Sequence, residues 1–289
     1  MYNFYTHIST NSKRFRRFAC GESLITVFNC GEKNKFEDLW SHHNYIVYVA
    51  KGRKIWHTAN GSYDLCEGSF AFVRKGACII EQFFDSEFCF FLFFVTDEFI
   101  CEVLKNKLIQ QSKSVSRFNP VISLENDKPI ELFFQSMMAY FDDLKEPDQT
   151  LLELKFRELI LILSNNQGNK EMHSYFCCLM HAPHTVSLQL VMEDNFCFNL
   201  KQEDFAKLSC RSLSAFKRDF HRVYKTSPGK WLIEKRLLHA KHLLTNSGKN
   251  VGEAAFESGF ENVSHFSRSF RNHFGYPPST IKQDLDVLS

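Results

Sequence analysis

Apolar positions in the first third of the chain come in short runs separated by turn residues. Residues 45–49 (YIVYV), 54–58 (KIWHT), 69–73 (SFAFV) and 88–95 (FCFFLFFV) are each of strand length, with Gly52, Gly68 and Gly76 as punctuation. Asn60-Gly61, just after the second run, predicts a hairpin, because both residue types tolerate positive φ. The longest run, 88–95, is far below the roughly 20 residues a helix needs to cross a bilayer, and it predicts a buried strand. Together these runs predict an antiparallel sandwich or small barrel. Beyond residue 96 the period changes. Apolar residues recur at three- and four-residue spacing over 97–107, 129–144 and 151–163, the mark of amphipathic helices. Residues 165–170 (NNQGNK) predict an exposed break, followed by a further helix over 171–180. Pro183 and His184 mark a linker, and from Val186 the pattern is helical. The expected class is α+β: a β-sandwich or barrel over 1–96, a helical linker or dimerisation segment over 97–185, and an all-α domain over 186–289.

Within the last segment the pattern repeats with an offset of fifty. Phe216, Arg218, Phe220, Tyr224 and Pro228 recur as Phe266, Arg268, Phe270, Phe274 and Pro278. Each copy starts with a short helix, 201–208 or 251–258. A tight turn follows, Ser209-Cys210-Arg211 or Gly259-Phe260-Glu261, and then a polar cap, Ser212 or Asn262, opens a second helix over 213–224 or 263–274. This is the anatomy of a paired helix-turn-helix. Helical spacing puts Phe216, Phe220, Val223 and Tyr224 on one face of the earlier second helix, and Ser214, Lys217, Arg218 and His221 on another. In the later one Phe266, Phe270 and Phe274 turn inward, while Ser264, His265, Arg268 and Arg271 point away. Such outward sets can hydrogen-bond base edges or phosphates from a major groove. Ser227 and Pro228 predict the start of one long connecting helix, which Asn246-Ser247-Gly248 stops. About seventeen residues at 1.5 Å each extend about 26 Å, so with the flanking units added the two reading helices fall roughly one DNA turn, about 34 Å, apart.

Charge sharpens this picture. The 289-residue chain has a net charge of only +2. Residues 186–289, however, carry 15 Lys and Arg against 11 Asp and Glu, a net of +4, and the remainder is net −2. The basic excess lies where a DNA-facing surface needs it. The ten cysteines are scattered, with no CxxC and no zinc-finger spacing. Residues 1–18 carry basic side chains with no apolar stretch after them, so no secretory signal is expected and the thiols are expected to be reduced and cytoplasmic.

Residues ~190–285 resemble the DNA-binding domain of the AraC/XylS family of bacterial regulators. The stretches that carry the likeness are KRLLHAKHLL (235–244), Val251 with AAFESGF (254–260), HFSRSFR (265–271) and FGYPP (274–278). The resemblance implies base contacts from Ser214, Lys217 and Arg218 in the first reading helix, and from Val263, Ser264, His265 and Arg268 in the second. Arg222, Lys225, Lys230 and Arg271 are expected nearer phosphates. Two departures are visible: Cys210 stands where the family usually has a turn glycine, and Gly252 lies inside a helix, where it costs roughly 1 kcal/mol against Ala. The front of the chain resembles the cupin-like regulatory domain that precedes such DNA-binding domains. GSYDL (61–65) and EGSFAFVRKG (67–76) look like activators of type III secretion genes. The expected protein is a transcription regulator, an activator by the family's common mode. Its expected partners are promoter DNA and RNA polymerase, with a homodimer and either a small-molecule effector or an anti-activator protein; no membrane, metal or other cofactor is expected.

The competing class is a metal-dependent cupin enzyme, which needs two or three His and a carboxylate converging on one side of the barrel. His42 and His43 are adjacent, so on a strand they point to opposite faces. His57 is the only other candidate in the strand region, and no His follows it before His173. No P-loop, GxGxxG or GxSxG occurs. The vicinal Cys177-Cys178 is weighed as a redox switch and read as an ordinary helical pair.

Overall fold

The structure, a computed structural model, describes residues 1–11, 14–29, 34–83, 89–107, 117–142, 146–181 and 187–281. The chain divides into two compact units, Met1–Val186 and Ser187–Ser289. The expected linker residues Pro183 and His184, and Phe88 at the head of the apolar run, lie outside the described residues.

Two sheets form the first unit. One has five strands, β1 (Tyr2–Asn3), β4 (Phe36–Ser41), β6 (Arg53–Thr58), β7 (Gly61–Cys66) and β9 (Gly76–Gln82), in the order β1-β4-β9-β6-β7. The other has six: β2 (Arg17–Cys20), β3 (Ser23–Asn29), β5 (Asn44–Lys51), β8 (Phe70–Val73), β10 (Cys89–Val95) and β11 (Val121–Ser123), in the order β11-β8-β5-β10-β3-β2. Pairing is antiparallel except between β1 and β4. Strand β10 explains the apolar run. It lies between β5 and β3, and its two faces enter different cores. Phe90, Leu92 and Phe94 join Phe4, Phe28, Tyr45 and Trp56 in one core, while Phe91, Phe93 and Val95 join residues of the helices in the other. Burying each of these phenylalanines contributes roughly 1.5–3 kcal/mol.

The helices of this unit are α1 (Phe4–Thr10), α2 (Asp97–Leu104), α3 (Lys128–Asp142), α4 (Gln149–Asn165) and α5 (Lys170–His181). Ile100, Phe133, Phe134, Phe156, Leu159 and Phe176 pack with Phe91 and Phe93 of β10, so the helical segment shares a core with the six-stranded sheet. A buried polar network fastens it further. Asn44 donates to Asp97 Oδ1 at 2.6 Å, Lys75 Nζ lies 2.6 Å from Asp97 Oδ2, and the Tyr175 hydroxyl donates to Asn44 Oδ1 at 3.2 Å. One network thereby joins β5, the β8–β9 turn, α2 and α5.

Three local expectations need correction. The hairpin between β6 and β7 forms, with Thr58 opposite Gly61, but only Gly61 has positive φ (141°), so the turn does not draw on that property in Asn60. His42 and His43 sit in a bend between β4 and β5, with ring centroids 4.1 Å apart, and do not alternate across a strand. Within 165–170, Asn169 is buried and its side chain accepts from the Glu125 amide, so the break is partly closed over.

Every element among the described residues of the second unit is a helix: α6 (Leu188–Asn195), α7 (Gln202–Leu208), α8 (Leu213–Tyr224), α9 (Pro228–Asn246), α10 (Val251–Glu257) and α11 (Val263–Phe274). Among the described residues no helix is long and apolar enough to cross a membrane.

Candidate nucleic-acid interface

Helices α7 and α8, and again α10 and α11, each form a helix-turn-helix. Both turns are built by the same hydrogen bonds. Cys210 N–H donates to Lys207 O and Arg211 N–H to Ala206 O; Gly259 and Phe260 repeat this to Phe256 O and Ala255 O. That pair of bonds satisfies the last carbonyls of the helix and needs a left-handed residue in the middle. Cys210 (φ 53°) and Gly259 (φ 86°) supply it. Cys210 therefore corresponds to Gly259, not to Phe260, and the offset is 49 through the first helices and turns. It becomes 50 at the caps Ser212 and Asn262, because Glu261 adds one residue to the second turn. The first helices match at the other end too, since Asp204 and Glu253 both reach back to the N-cap amide. The caps of the second helices act as expected: Ser212 Oγ accepts from Ala215 N, and Asn262 Oδ1 accepts from Ser264 N and His265 N.

In α8, Phe216 and Phe220 are fully buried, and Phe220 stacks on Tyr224 at 4.5 Å. Ser214, Lys217, Arg218, His221 and Arg222 are exposed. Val223 was expected on the inner face, but it is 43% exposed. In α11, Phe266 and Phe270 are buried, and Ser264, His265, Arg268 and Arg271 are exposed. Val263 is half-buried against the core that Leu237, Ala240 and Phe266 form, so only part of its side chain is available. Lys225, at the C-cap of α8, is left-handed (φ 53°) where the second copy has Gly275 (φ 85°), and its side chain is exposed, as is that of Lys230.

The connecting helix α9 has 19 residues, roughly 28 Å, because Thr245 and Asn246 extend it beyond Leu244. Ser227 caps it, accepting from Lys230 N. Trp231 packs edge-on to Phe220 of the first unit of the pair, and Leu237, Ala240 and Leu244 share a core with Phe266 and Phe270 of the second.

Two groups at this surface were not singled out from the sequence. Asp219 lies within salt-bridge distance of three arginines: Arg211 at 3.2 Å, Arg222 at 3.5 Å and Arg218 at 3.6 Å. Burial opposes its ionisation, but the Arg211 hydrogen bond and the Arg222 and Arg218 charges outweigh that and hold the carboxyl below its usual range. Spacing gave a signal here, since Asp219 is flanked by Arg218 and three residues from Arg222. The other is Arg236 of α9, which donates to Phe196 O at 2.7 Å and Phe198 O at 2.8 Å. Burial pulls its guanidinium down from its ordinary pKa, with Cys197 and Glu261 opposing. Nothing in the KRLL pattern distinguishes it from a solvated arginine.

Comparison with known proteins now adds to this geometry. A family model described as the ExsA N-terminal regulatory domain matches residues 44–175, and a helix-turn-helix domain model matches residues 205–284. The thermoregulatory protein LcrF of Yersinia pestis is 28% identical over 244 residues, covering 82% of this chain and 88% of the relative. The HTH-type transcriptional regulator ExsA of Pseudomonas aeruginosa is 35% identical over 133 residues, 46% of this chain and 48% of ExsA. The HTH-type transcriptional activator RhaS of Klebsiella pneumoniae is 26% identical, covering 94% of this chain and 96% of RhaS. Over both of its units the chain is similar to AraC-family regulators. It is a DNA-binding transcription regulator, and residues 44–175 of its first unit are similar to the ExsA regulatory domain.

In the first unit the three histidines expected to compete as metal ligands are each engaged by other side chains. His57 is held between Ser62 Oγ (2.7 Å) and Glu81 Oε2 (3.0 Å), His42 meets Asn3 Nδ2 (2.9 Å), and His43 is buried beside Tyr5. Among the described residues no three His, Cys, Asp or Glu side chains are grouped to hold an ion. Cys177 is buried near His181, and burial raises the pKa of Cys178, the opposite of what an activated thiolate needs.

Proposed function

We propose that this regulator activates transcription by laying α8 and α11 in two successive major grooves of promoter DNA. The observation that carries the reading is the repetition itself: a capped helix twice presents an exposed polar and basic row opposite a buried aromatic one. Lys217, Arg218 and Arg268 fit guanine O6 and N7, and Ser214, Ser264 and His265 can take single contacts to base edges. Val263 offers an apolar edge to a thymine methyl group. Arg222, Lys225, Lys230 and Arg271 neutralise phosphates. Activation is supported by the likeness to the transcriptional activator RhaS, and contact with RNA polymerase is part of the same proposal.

Residues 1–186 are the proposed signal-receiving part, and the DNA-binding part begins at residue 187. Self-association would use α3 and α4, where Leu132, Met138, Leu151, Leu154 and Leu161 are exposed. No catalytic role is proposed, and the site of action is the cytoplasm. A pull-down under non-inducing conditions, set beside a thermal-shift screen of small molecules, distinguishes an anti-activator protein from a small effector. The test of the DNA reading is selection of bound sites from random duplexes, followed by two variants. Arg268→Ala should cost about 1–3 kcal/mol and relax one base position, and Lys225→Ala should weaken all sequences alike and flatten the salt dependence. Wild-type binding by both variants would refute the residue assignments.

A further inference from the structure

The segment that leads into the first helix-turn-helix also touches the second. Residues 196–199 lie between α6 and α7, and three contacts tie them to α9 and to the α10–α11 turn. Arg236 of α9 holds the Phe196 and Phe198 carbonyls. The Cys197 carbonyl sits against Gly259 so closely that a Cβ there would be 2.4 Å from its oxygen. The Asn199 amide donates to the Glu261 carboxylate, and Glu261 is the residue that makes the second turn one longer than the first. His239 adds a fourth tie, with its ring 5.2 Å from Phe196 and its Nδ1 3.2 Å from Ser258 Oγ at the end of α10. The cleft at this junction opens directly onto the second reading helix, with Asn199, Arg236, Glu261, Ser264 and Arg268 in its wall.

A connecting helix alone would leave the second helix-turn-helix free to rock about its contacts with α9. The junction removes that freedom, because it joins the α10–α11 turn to the same stretch of chain from which α7 starts. We propose that Arg236 and the Asn199–Glu261 pair are positioning residues for DNA recognition, fixing the separation of the two reading helices and so the spacing of the two sequence elements that one chain accepts. This rests on the reading that α8 and α11 enter successive grooves. One added base pair moves an element about 3.4 Å along the duplex and about 35° around it, more than a braced pair of helices can follow.

The test uses the full-length protein and duplexes built on a site selected from random DNA, with the spacer at its selected length and changed by one and two base pairs. The wild type should lose at least about tenfold in affinity per changed base pair, the scale of a mismatched base, while Asn199→Ala/Glu261→Ala and Arg236→Met should lose about threefold or less. Affinity for a duplex carrying one element alone should be the same in all three, a readout that general destabilisation would not spare. The exposed pair keeps the test decisive if Arg236→Met does not fold. Variants that keep the full spacing penalty, or a wild type that prefers the selected sequence but accepts any spacer, overturn the proposal. A wild type with no sequence preference overturns the underlying two-groove reading instead.

Discussion

The two matched turn positions should respond in opposite directions to the exchange of a side chain. Gly259 and Cys210 make the same hydrogen bonds and both are left-handed. Their surroundings differ: a Cβ on Gly259 would stand 2.4 Å from Cys197 O and 2.8 Å from Cys197 C, both backbone atoms that cannot rotate away. Gly259→Ala must therefore shift the backbone of residues 196–199, an overpacking cost of about 1–3 kcal/mol, on top of about 1 kcal/mol for a Cβ in the left-handed region. The expected loss is about 3 kcal/mol. Cys210→Gly relieves about 1–2 kcal/mol of left-handed strain but gives back about 0.5–1 kcal/mol through the freer unfolded chain, a net gain of about 0.5 kcal/mol. Peptide-resolved amide hydrogen exchange on the full chain reads both changes. Protection in α10 and α11 should fall by about two orders of magnitude in Gly259→Ala, and protection in α7 and α8 should rise slightly in Cys210→Gly. A Gly259→Ala loss below about 1 kcal/mol, or a Cys210→Gly variant less stable than wild type, would refute the argument from turn geometry.

Two further outcomes follow from charge. Asp219→Asn frees Arg218 and Arg222 and removes a negative charge beside them, so binding to random-sequence DNA should strengthen while discrimination at the base read by Arg218 falls; salt-titrated gel shifts measure both, and an unchanged ratio of specific to non-specific affinity counts against the restraint. His43 carries a pH effect: burial, then the Lys75 charge, pulls its pKa down from 6.5 to about 4 against the pull of Asp97. The unfolded chain takes this proton more readily than the folded one, so the first unit should be most stable above about pH 6.5 and lose about 2–3 kcal/mol as pH falls to about 4. Urea midpoints across that range should show the slope in wild type and a flatter line in His43→Gln; equal slopes would remove His43 as the cause.

How much of this was legible in the chain depended on whether a residue's neighbours were close in sequence. The reading helices were, because aromatic spacing, a polar cap and a following Ser or Pro are all local signals, and Leu213–Tyr224 and Val263–Phe274 have the bounds the pattern predicts. The sandwich was legible for the same reason in β5, β6, β8 and β10. Helix α1 was not, since only Phe4 and Ile8 face inward along its seven residues, too few to establish a period. The one-residue lengthening of the second turn was hidden because the aromatic anchors that reveal the repeat all lie after it. Arg236 and Asn199 act on partners tens of residues away, and no local pattern encodes that. The bend at His42-His43 defeated an alternation argument that holds only within a strand.

Strand β10 places phenylalanine in both cores, and this has a cost in fidelity during folding. In a strand with one wet face, slipping by a single residue exposes every apolar side chain, and the penalty protects the alignment. Here a slip merely exchanges Phe90, Leu92 and Phe94 for Phe91, Phe93 and Val95, and greasy surface stays covered either way. Alignment must then be enforced at the strand's ends: by the irregular pairing at Cys89/Phe90, and by Val95 opposite Asn44, whose amide is bonded to Asp97. The Asn44–Asp97 bond thus serves as a pawl on an otherwise slippery ratchet, and weakening it should yield misaligned, aggregation-prone chains before it yields a merely looser native state.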